Sequence, residues 1–306
     1  MSPPETEVLS FDDTAIARAA ELILAGQTVA VPTETVYGLA ADATNPQAVA
    51  RIYAAKGRPG FNPLIVHVPD LAMAEALGVF DAEGRTLAEA HWPGPLTIVV
   101  PARPDNNIAA LVTAGLATIA LRVPAHRAMQ ALLKATGRPL AAPSANASGR
   151  ISPTRAAHVI ASLGGRISLI IDGGPTARGI ESTIVAATGG PLRLLRRGPI
   201  EVDASLSSGG IEAPGMMASH YAPSKPLRLD ATEARDGEYL IGFGPVAGDT
   251  NLSESGDLIE AAASLFDLLH QADATPHPRI AVAPIPDHGI GAAIRDRLDR
   301  AATPRG

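Results

Sequence analysis

The chain has 306 residues, with 31 acidic against 25 basic side chains and a formal net charge of -6, a balance that argues against an extended basic face for neutralising nucleic-acid phosphates. It contains no cysteine, which excludes disulfides, thiolate metal sites and cysteine nucleophiles. Hydrophobic residues make up 46% but aromatics only 3%, so the core has to be built from Ala, Leu, Ile and Val, and the length predicts two domains.

The opening stretch MSPPETEVLSFDD is acidic, and no apolar run approaches about 18 residues, so neither a signal peptide nor a membrane span is expected and a soluble, cytoplasmic protein is. Residues 14 to 26, TAIARAAELILAG, repeat apolar positions at helical spacing and stop at Gly26. Thr28 to Val31 read as a strand, and Pro32 cannot donate to a central ladder, so pairing should end there. Thr33, Glu34 and Thr35 then lie where a strand opens into a loop, in the stretch AVPTETVYGLAADA. NPQAVARIYAAKG (45 to 57) begins with an Asn cap followed by Pro and ends in Gly, which predicts a helix.

Seven further strands are expected at PLIVHV, LTIVVPA, TIALRVP, PLAAPS, SLIIDGG, STIVAA and LRLLRRG, the last two forming a hairpin about Gly189-Gly190. Strands that follow one another without a helix argue for a mixed, twisted α/β sheet. Residues 201 to 226 are too rich in Gly, Ser and Pro for a regular element and read as a linker. Beyond them GEYLIGFG, a helix over SGDLIEAAASLFDLLHQAD, RIAVAPIP and IGAAIRDRLDRAA give a β-α-β-α order, a second, smaller parallel α/β domain. Charge follows the same division: residues 1 to 200 carry 17 basic and 15 acidic side chains, residues 201 to 306 carry 8 and 16. The expected domains are therefore 1–200, a linker 201–226 and 227–306.

Lys56 and Arg58 sit at a helix end beside a Gly/Pro loop, where they either complement the helix dipole or grip an anion such as a polyphosphate. His67 lies in an apolar strand, as a core residue or a ligand contact. Arg122 lies in another apolar strand and needs a fixed anionic partner, either internal or a substrate carboxylate. The loop PLAAPSANASGRISPT places Ser144, Asn146, Ser148 and Ser152 close together, an ordinary turn or a set of contacts for a nucleotide. Ser182 and Thr183 open a strand, and Arg196-Arg197 close one. No P-loop pattern and no nucleophile elbow is present, and GFGPVAG and GIGAAI fail the dinucleotide fingerprint.

Jointly, PTETVYGLAADA, KGRPGFNPLIVH, WPGPLTIVV, IALRVPAH, APSANASG, ESTIV and LLRRG resemble the YrdC-type domain of the L-threonylcarbamoyladenylate synthases over about residues 14 to 200. APGMMASHYAP and the C-terminal segments are similar to the linker and extra domain of that family's two-domain form, whose small domain is Rossmann-like. The resemblance implies conversion of L-threonine, bicarbonate and ATP to threonylcarbamoyl-AMP and pyrophosphate, feeding tRNA threonylcarbamoyl-adenosine formation through a downstream transferase. It places Thr35, His67, Arg122 and Ser182 around threonine. It places Lys56, Arg58, Asn62, Thr118, Ser144, Asn146, Ser152, Arg196 and Tyr221 on the ATP side, with Mg2+ accompanying ATP and no covalent nucleophile or acid/base residue assigned. The linker, expected to lie over the active site, departs from the pattern at Met217, Ala218 and Ser219, where basic residues are expected before His220-Tyr221. Metal ligands and direct RNA binding stay open at this point. The alternatives are a related carbamoyl-adenylating enzyme and an RNA-binding module using Lys56, Arg58, Arg122 and Arg196.

Overall fold

The computed structural model describes residues 5–207, 212–215 and 219–303. Its first unit runs β1 (Glu7–Ser10), α1 (Asp13–Leu24), β2 (Val29–Pro32), β3 (Tyr37–Asp42), α2 (Pro46–Lys56), β4 (Ile65–His67), α3 (Leu71–Leu77), α4 (Ala82–His91) and β5 (Leu96–Pro101). It continues through α5 (Ala110–Thr113), β6 (Thr118–Arg122), α6 (Arg127–Thr136), β7 (Leu140–Ala141), α7 (Ala156–Leu163), β8 (Leu169–Asp172), β9 (Thr183–Ala186), β10 (Arg193–Arg196) and β11 (Ser205–Leu206). The helices start where the chain supplies a cap. Asp12, Asn45, Asp70 and Asp81 each accept backbone N–H groups at the start of α1, α2, α3 and α4, and α2 ends at Gly57 in the left-handed region, φ 59°.

These strands form one mixed sheet in the order β1-β8-β2-β3-β7-β4-β6-β5-β9-β10-β11. β4 and β6 are parallel, β5 and β6 antiparallel, and β9 and β10 form the expected antiparallel hairpin. The two-residue period separates the faces. On β6, Ile119 and Leu121 enter the main core with Val66, Ile98 and Val100. Ala120 points the other way, to Ile65, Val99, Ile184 and Ala186. By the same alternation Thr118 and Arg122 share Ala120's side of β6, and His67 shares Ile65's side of β4. Truncating Leu121 to Ala in the main core would cost about 2–5 kcal/mol, whereas the second face is free to carry polar groups.

The second unit comprises β12 (Leu227–Arg228), β13 (Glu238–Gly242), β14 (Thr250–Asn251), α8 (Leu258–Ala274), β15 (Arg279–Val282) and α9 (Ile290–Ala302). Its strands, ordered β12-β15-β13-β14, are all parallel. The α8 face bearing Ala262, Leu265, Phe266 and Leu269 packs in one apolar cluster with Val36, Ile151, Ile180 and Tyr221 from outside the small unit. The small unit is thus docked beside the polar face of the large sheet. Arg155 pairs with Asp267, and the rings of His158 and His270 stack at 3.9 Å across the same boundary.

Thr33, Glu34 and Thr35 leave the strand at Pro32 as expected, in a tight turn that returns the chain directly into β3, antiparallel to β2, because Thr33 Oγ1 donates to Val36 O and accepts from Thr35 N and Val36 N. Two other points differ from the expectation. Residues 201 to 226 are not free of regular structure, since Ser205–Leu206 adds a parallel edge strand to β10. Helices α3, α4, α6 and α7 fill segments that the strand-by-strand reading passed over. Each is at most 10 residues long and takes most of its stability from tertiary packing.

Candidate active site

The polar face of the large sheet is the floor of a cleft lined by Thr35, Arg58, His67, Arg122, Arg196 and Tyr221. At one end, Arg122 at the end of β6 reaches the β2–β3 turn. Its Nη2 donates to Glu34 Oε1 at 2.7 Å, its Nη1 to Thr35 Oγ1 at 3.1 Å, and its Nε to Gly94 O at 3.3 Å. Glu34 also accepts from Ala125 N. Burial pushes the Glu34 carboxyl up, but the Arg122 charge and hydrogen bond outweigh it and hold the pKa below its ordinary value. Thr33 spends its one hydroxyl hydrogen on Val36 O, so in the 2.8 Å Thr33–Thr35 contact Thr35 donates.

His67 pairs in register with Arg122 across β4 and β6. Burial, assisted by the Arg122 charge, pulls its pKa down to about 3, so the ring is neutral. Its buried Nδ1 has no hydrogen-bond partner among the described residues, an orphan at the wall of a cavity.

Three cations gather farther along. Lys56 is buried, and its Nζ donates to the carbonyls of Ser144 and Asn146. Burial, then the neighbouring Arg58, drives its pKa well below the ordinary lysine value. Arg58 donates to Asn62 O at 3.1 Å and Pro63 O at 2.8 Å, and burial lowers it to about 10. Arg196 donates to Ser182 O and Ser182 Oγ, each at 3.0 Å, and burial lowers it too. Among the described residues none of the three has a carboxylate partner; each is held by neutral oxygens. Gly198 allows this packing, because a Cβ there would lie 2.3 Å from Thr183 N and 2.7 Å from Ser182 C.

The linker supplies the roof. Pro214, Gly215, His220 and Tyr221 line the cleft. A Cβ on Gly215, φ +87°, would meet Tyr221 Oη at 2.8 Å and Arg196 Cδ at 3.0 Å, so only glycine lets the segment close on them. Ser219 Oγ donates to Thr303 O; Met217 and Ala218 lie outside the described residues.

Of the residues the sequence nominated, Thr35, His67, Arg58, Arg122, Ser144, Arg196 and Tyr221 line this one cleft, and Lys56 and Ser182 are bonded directly to its wall. Thr118 begins β6, four residues before Arg122 and about 13 Å along the strand, opposite Pro101 of β5, and neither it nor Asn62 is among the residues lining the cleft. Asn146 Nδ2 bonds locally to Ala147 O and Arg150 O, and the Ser152 hydroxyl is spent on Glu181, so these two stand in the wall. Sequence reading left Thr33 and Glu181 without a role, although both flank nominated residues. It gave no sign of Arg297, which arrives from α9 to pair with Glu181 at 2.8 Å.

Comparison with known proteins identifies the family. The family described as telomere recombination matches residues 21–198, and the threonylcarbamoyl-AMP synthase C-terminal domain matches residues 177–303. Threonylcarbamoyl-AMP synthase of Bacillus subtilis is 41% identical, over 97% of this chain and 95% of the relative. The enzyme of the same name from Pyrococcus abyssi is 37% identical, over 95% of each. The crystal structure of Pyrococcus abyssi Sua5 complexed with L-threonine superposes with a TM-score of 0.89 and 35% identity, covering 97% of this chain and 98% of that one. Two matched domains in order, near-complete mutual coverage and a shared fold lead to one conclusion: the chain belongs to the threonylcarbamoyl-AMP synthases, in their two-domain, Sua5-type form.

Proposed function

We infer that this cleft makes threonylcarbamoyl-AMP and pyrophosphate from L-threonine, bicarbonate and ATP, an adenylate-forming reaction of the nucleotidyltransferase type. The observation that carries the assignment is the trio Lys56, Arg58 and Arg196. A buried cation without a counter-charge is costly, and three converging on one cleft call for a polyanion, which a nucleotide triphosphate supplies. The threonine lies at the other end, its carboxylate on the unspent N–H groups of Arg122 and its polar groups toward Thr35, His67 and Ser182. The threonine amine attacks bicarbonate, or carbon dioxide derived from it, forming an N–C bond with loss of water or a proton. A carbamate oxygen then attacks the α-phosphate and pyrophosphate leaves.

No protein nucleophile is needed. Catalysis consists of positioning the two reactants and placing fixed positive charge where the triphosphate develops more negative charge. Neutral His67 can orient a substrate group but carries no charge. The cleft carboxylates, Glu34 and Glu181, are already tied to arginines, and among the described residues no cluster of three His, Asp or Glu has metal-binding geometry. We therefore take magnesium to enter as part of the ATP substrate complex, bound through phosphates and water. No helix among the described residues is long and apolar enough to cross a membrane, and we place the reaction in the cytoplasm, its product consumed by a tRNA threonylcarbamoyl transferase. The RNA-module reading fails on burial: Lys56, Arg122 and Arg196 are 3%, 3% and 7% exposed and do not present a surface to a polymer.

The test is pyrophosphate release from ATP with each amino acid. Release should require both L-threonine and bicarbonate, and serine should be poorer by about 1–3 kcal/mol for the missing methyl. Equal turnover with serine, or release without bicarbonate, overturns the assignment.

A further inference from the structure

We propose that Arg297, contributed by the small C-terminal domain, is a positioning residue of the nucleotide site, acting through Glu181 and Tyr221. Its side chain is completely buried, the largest with that property among the described residues, and most of its contacts lie outside its own domain. Nε donates to Glu181 Oε2 at 2.8 Å and Nη2 to Arg197 O at 2.9 Å, and the guanidinium lies 5.2 Å from the centre of the Tyr221 ring. One bond, Nη1 to Asp296 at 2.7 Å, stays within α9.

Two consequences follow for a bound triphosphate. Glu181 lines the cleft near Arg196. Left unpaired, its carboxylate would repel phosphate and draw Arg196 away from its ligand. With Arg297 on one oxygen and the Ser152 hydroxyl on the other, that charge is cancelled from behind the wall. Tyr221 is the second relay. It holds a left-handed backbone, φ +63°, a conformation that a tyrosine keeps only when its surroundings over-determine it. Two of those surroundings come from the small domain, Arg297 against one side of the ring and Phe266 of α8 at 5.6 Å, and the linker adds the His220 ring at 4.0 Å. The small domain therefore completes the nucleotide site, which gives it a role beyond solubility or docking.

The proposal rests on the assignment of Tyr221 and Arg196 to the ATP side, so the test separates the two. ATP and threonine KM, kcat and thermal midpoint are measured for the full-length parent, Tyr221→Ala, Arg297→Met, Arg297→Lys and Arg297→Met/Glu181→Gln. In Arg297→Met the ATP KM should rise about tenfold or more, the scale of a lost charge partner, while the threonine KM changes less than about twofold. Lysine should restore part of it, and the double variant should recover ATP KM because the exposed carboxylate is gone. If Arg297→Met lowers the thermal midpoint while both KM values keep their parent ratio, or if the double variant regains stability without regaining ATP KM, Arg297 is a structural tie and the proposal falls. Should Tyr221→Ala leave ATP KM unchanged, the ATP-side assignment fails first and takes the proposal with it.

Discussion

Arg122 and Glu34 face each other at 2.7 Å with side chains 4% and 11% exposed, so the guanidinium we propose for the substrate carboxylate already has an internal one. The two roles are separable. Removing Arg122 alone strands Glu34 in the wall, which costs about 3–5 kcal/mol. We expect Arg122→Ala to lose stability and threonine binding together, with ATP binding less affected. The double variant Arg122→Met/Glu34→Gln should regain most of the stability, because neither charge is left unpaired, yet should still bind threonine weakly. A double variant that binds threonine like the parent would make the pair purely structural.

Among the described residues Lys56 bonds only to carbonyls, and its folded pKa is depressed by burial and then by Arg58. The native protein therefore releases this proton at a lower pH than the unfolded chain, so the cost of holding the charge is felt below the folded pKa and fades as pH rises through it. A triphosphate at this site favours the charged form. At alkaline pH, ATP binding should take up protons, read by calorimetry in two buffers of different ionisation enthalpy. Lys56→Met should bind ATP weakly and show no such uptake; an undiminished uptake in that variant would assign the proton elsewhere.

The stacked pair His158–His270, with Asp267 at 3.3 Å from His158, should make the domain boundary acid-sensitive. Burial, then the His270 ring, lowers His158 to about 4, and burial lowers His270. Both shifts are downward, so their stabilising contribution is fully present above the unfolded value of 6.5 and is lost as pH falls toward about 4. His67, lowered to about 3, adds to the same trend. The thermal midpoint should drop between about pH 7 and pH 4.5, and His158→Gln should flatten that drop. An identical drop in the variant would exclude this pair as a source.

Arg155–Asp267 crosses the same boundary in the open, with side chains 48% and 33% exposed. Exposed pairs contribute about 0–1 kcal/mol. Arg155→Ala should leave the unfolding free energy within that range in denaturant titration, in contrast to variants of fully buried Arg297. A loss above about 2 kcal/mol would mean that the boundary depends on surface charge, contrary to this reading.

Local signals were legible in the chain. The Asn45-Pro46 start and Gly57 stop bound α2 as expected, the Gly189-Gly190 turn joins β9 to β10 in a hairpin, and the small domain contains the expected β-α-β-α run as β13-α8-β15-α9, to which the two-residue strands β12 and β14 add edges the sequence did not mark. The turn at Thr33 escaped because its hydroxyl, bonded three residues ahead, replaces the glycine that usually marks a hairpin. Short α3 escaped because so few turns give a weak period; α6 was legible, since Ala128, Met129, Leu132, Leu133 and Thr136 recur at helical spacing on its buried side.

What the sequence determined by itself is therefore whatever neighbouring residues decide: caps, strand periods, the break near residue 200, and the density of polar and basic groups in a few loops. The tertiary structure alone decided which of those groups meet. Strand order put Arg122 beside His67 and brought Ser182 within reach of Arg196. Docking of the small domain set Arg297 against Glu181, 116 positions away. No local pattern records that pairing, because a buried arginine reads in sequence as one more charged position on an amphipathic helix, and only burial makes its partner obligatory.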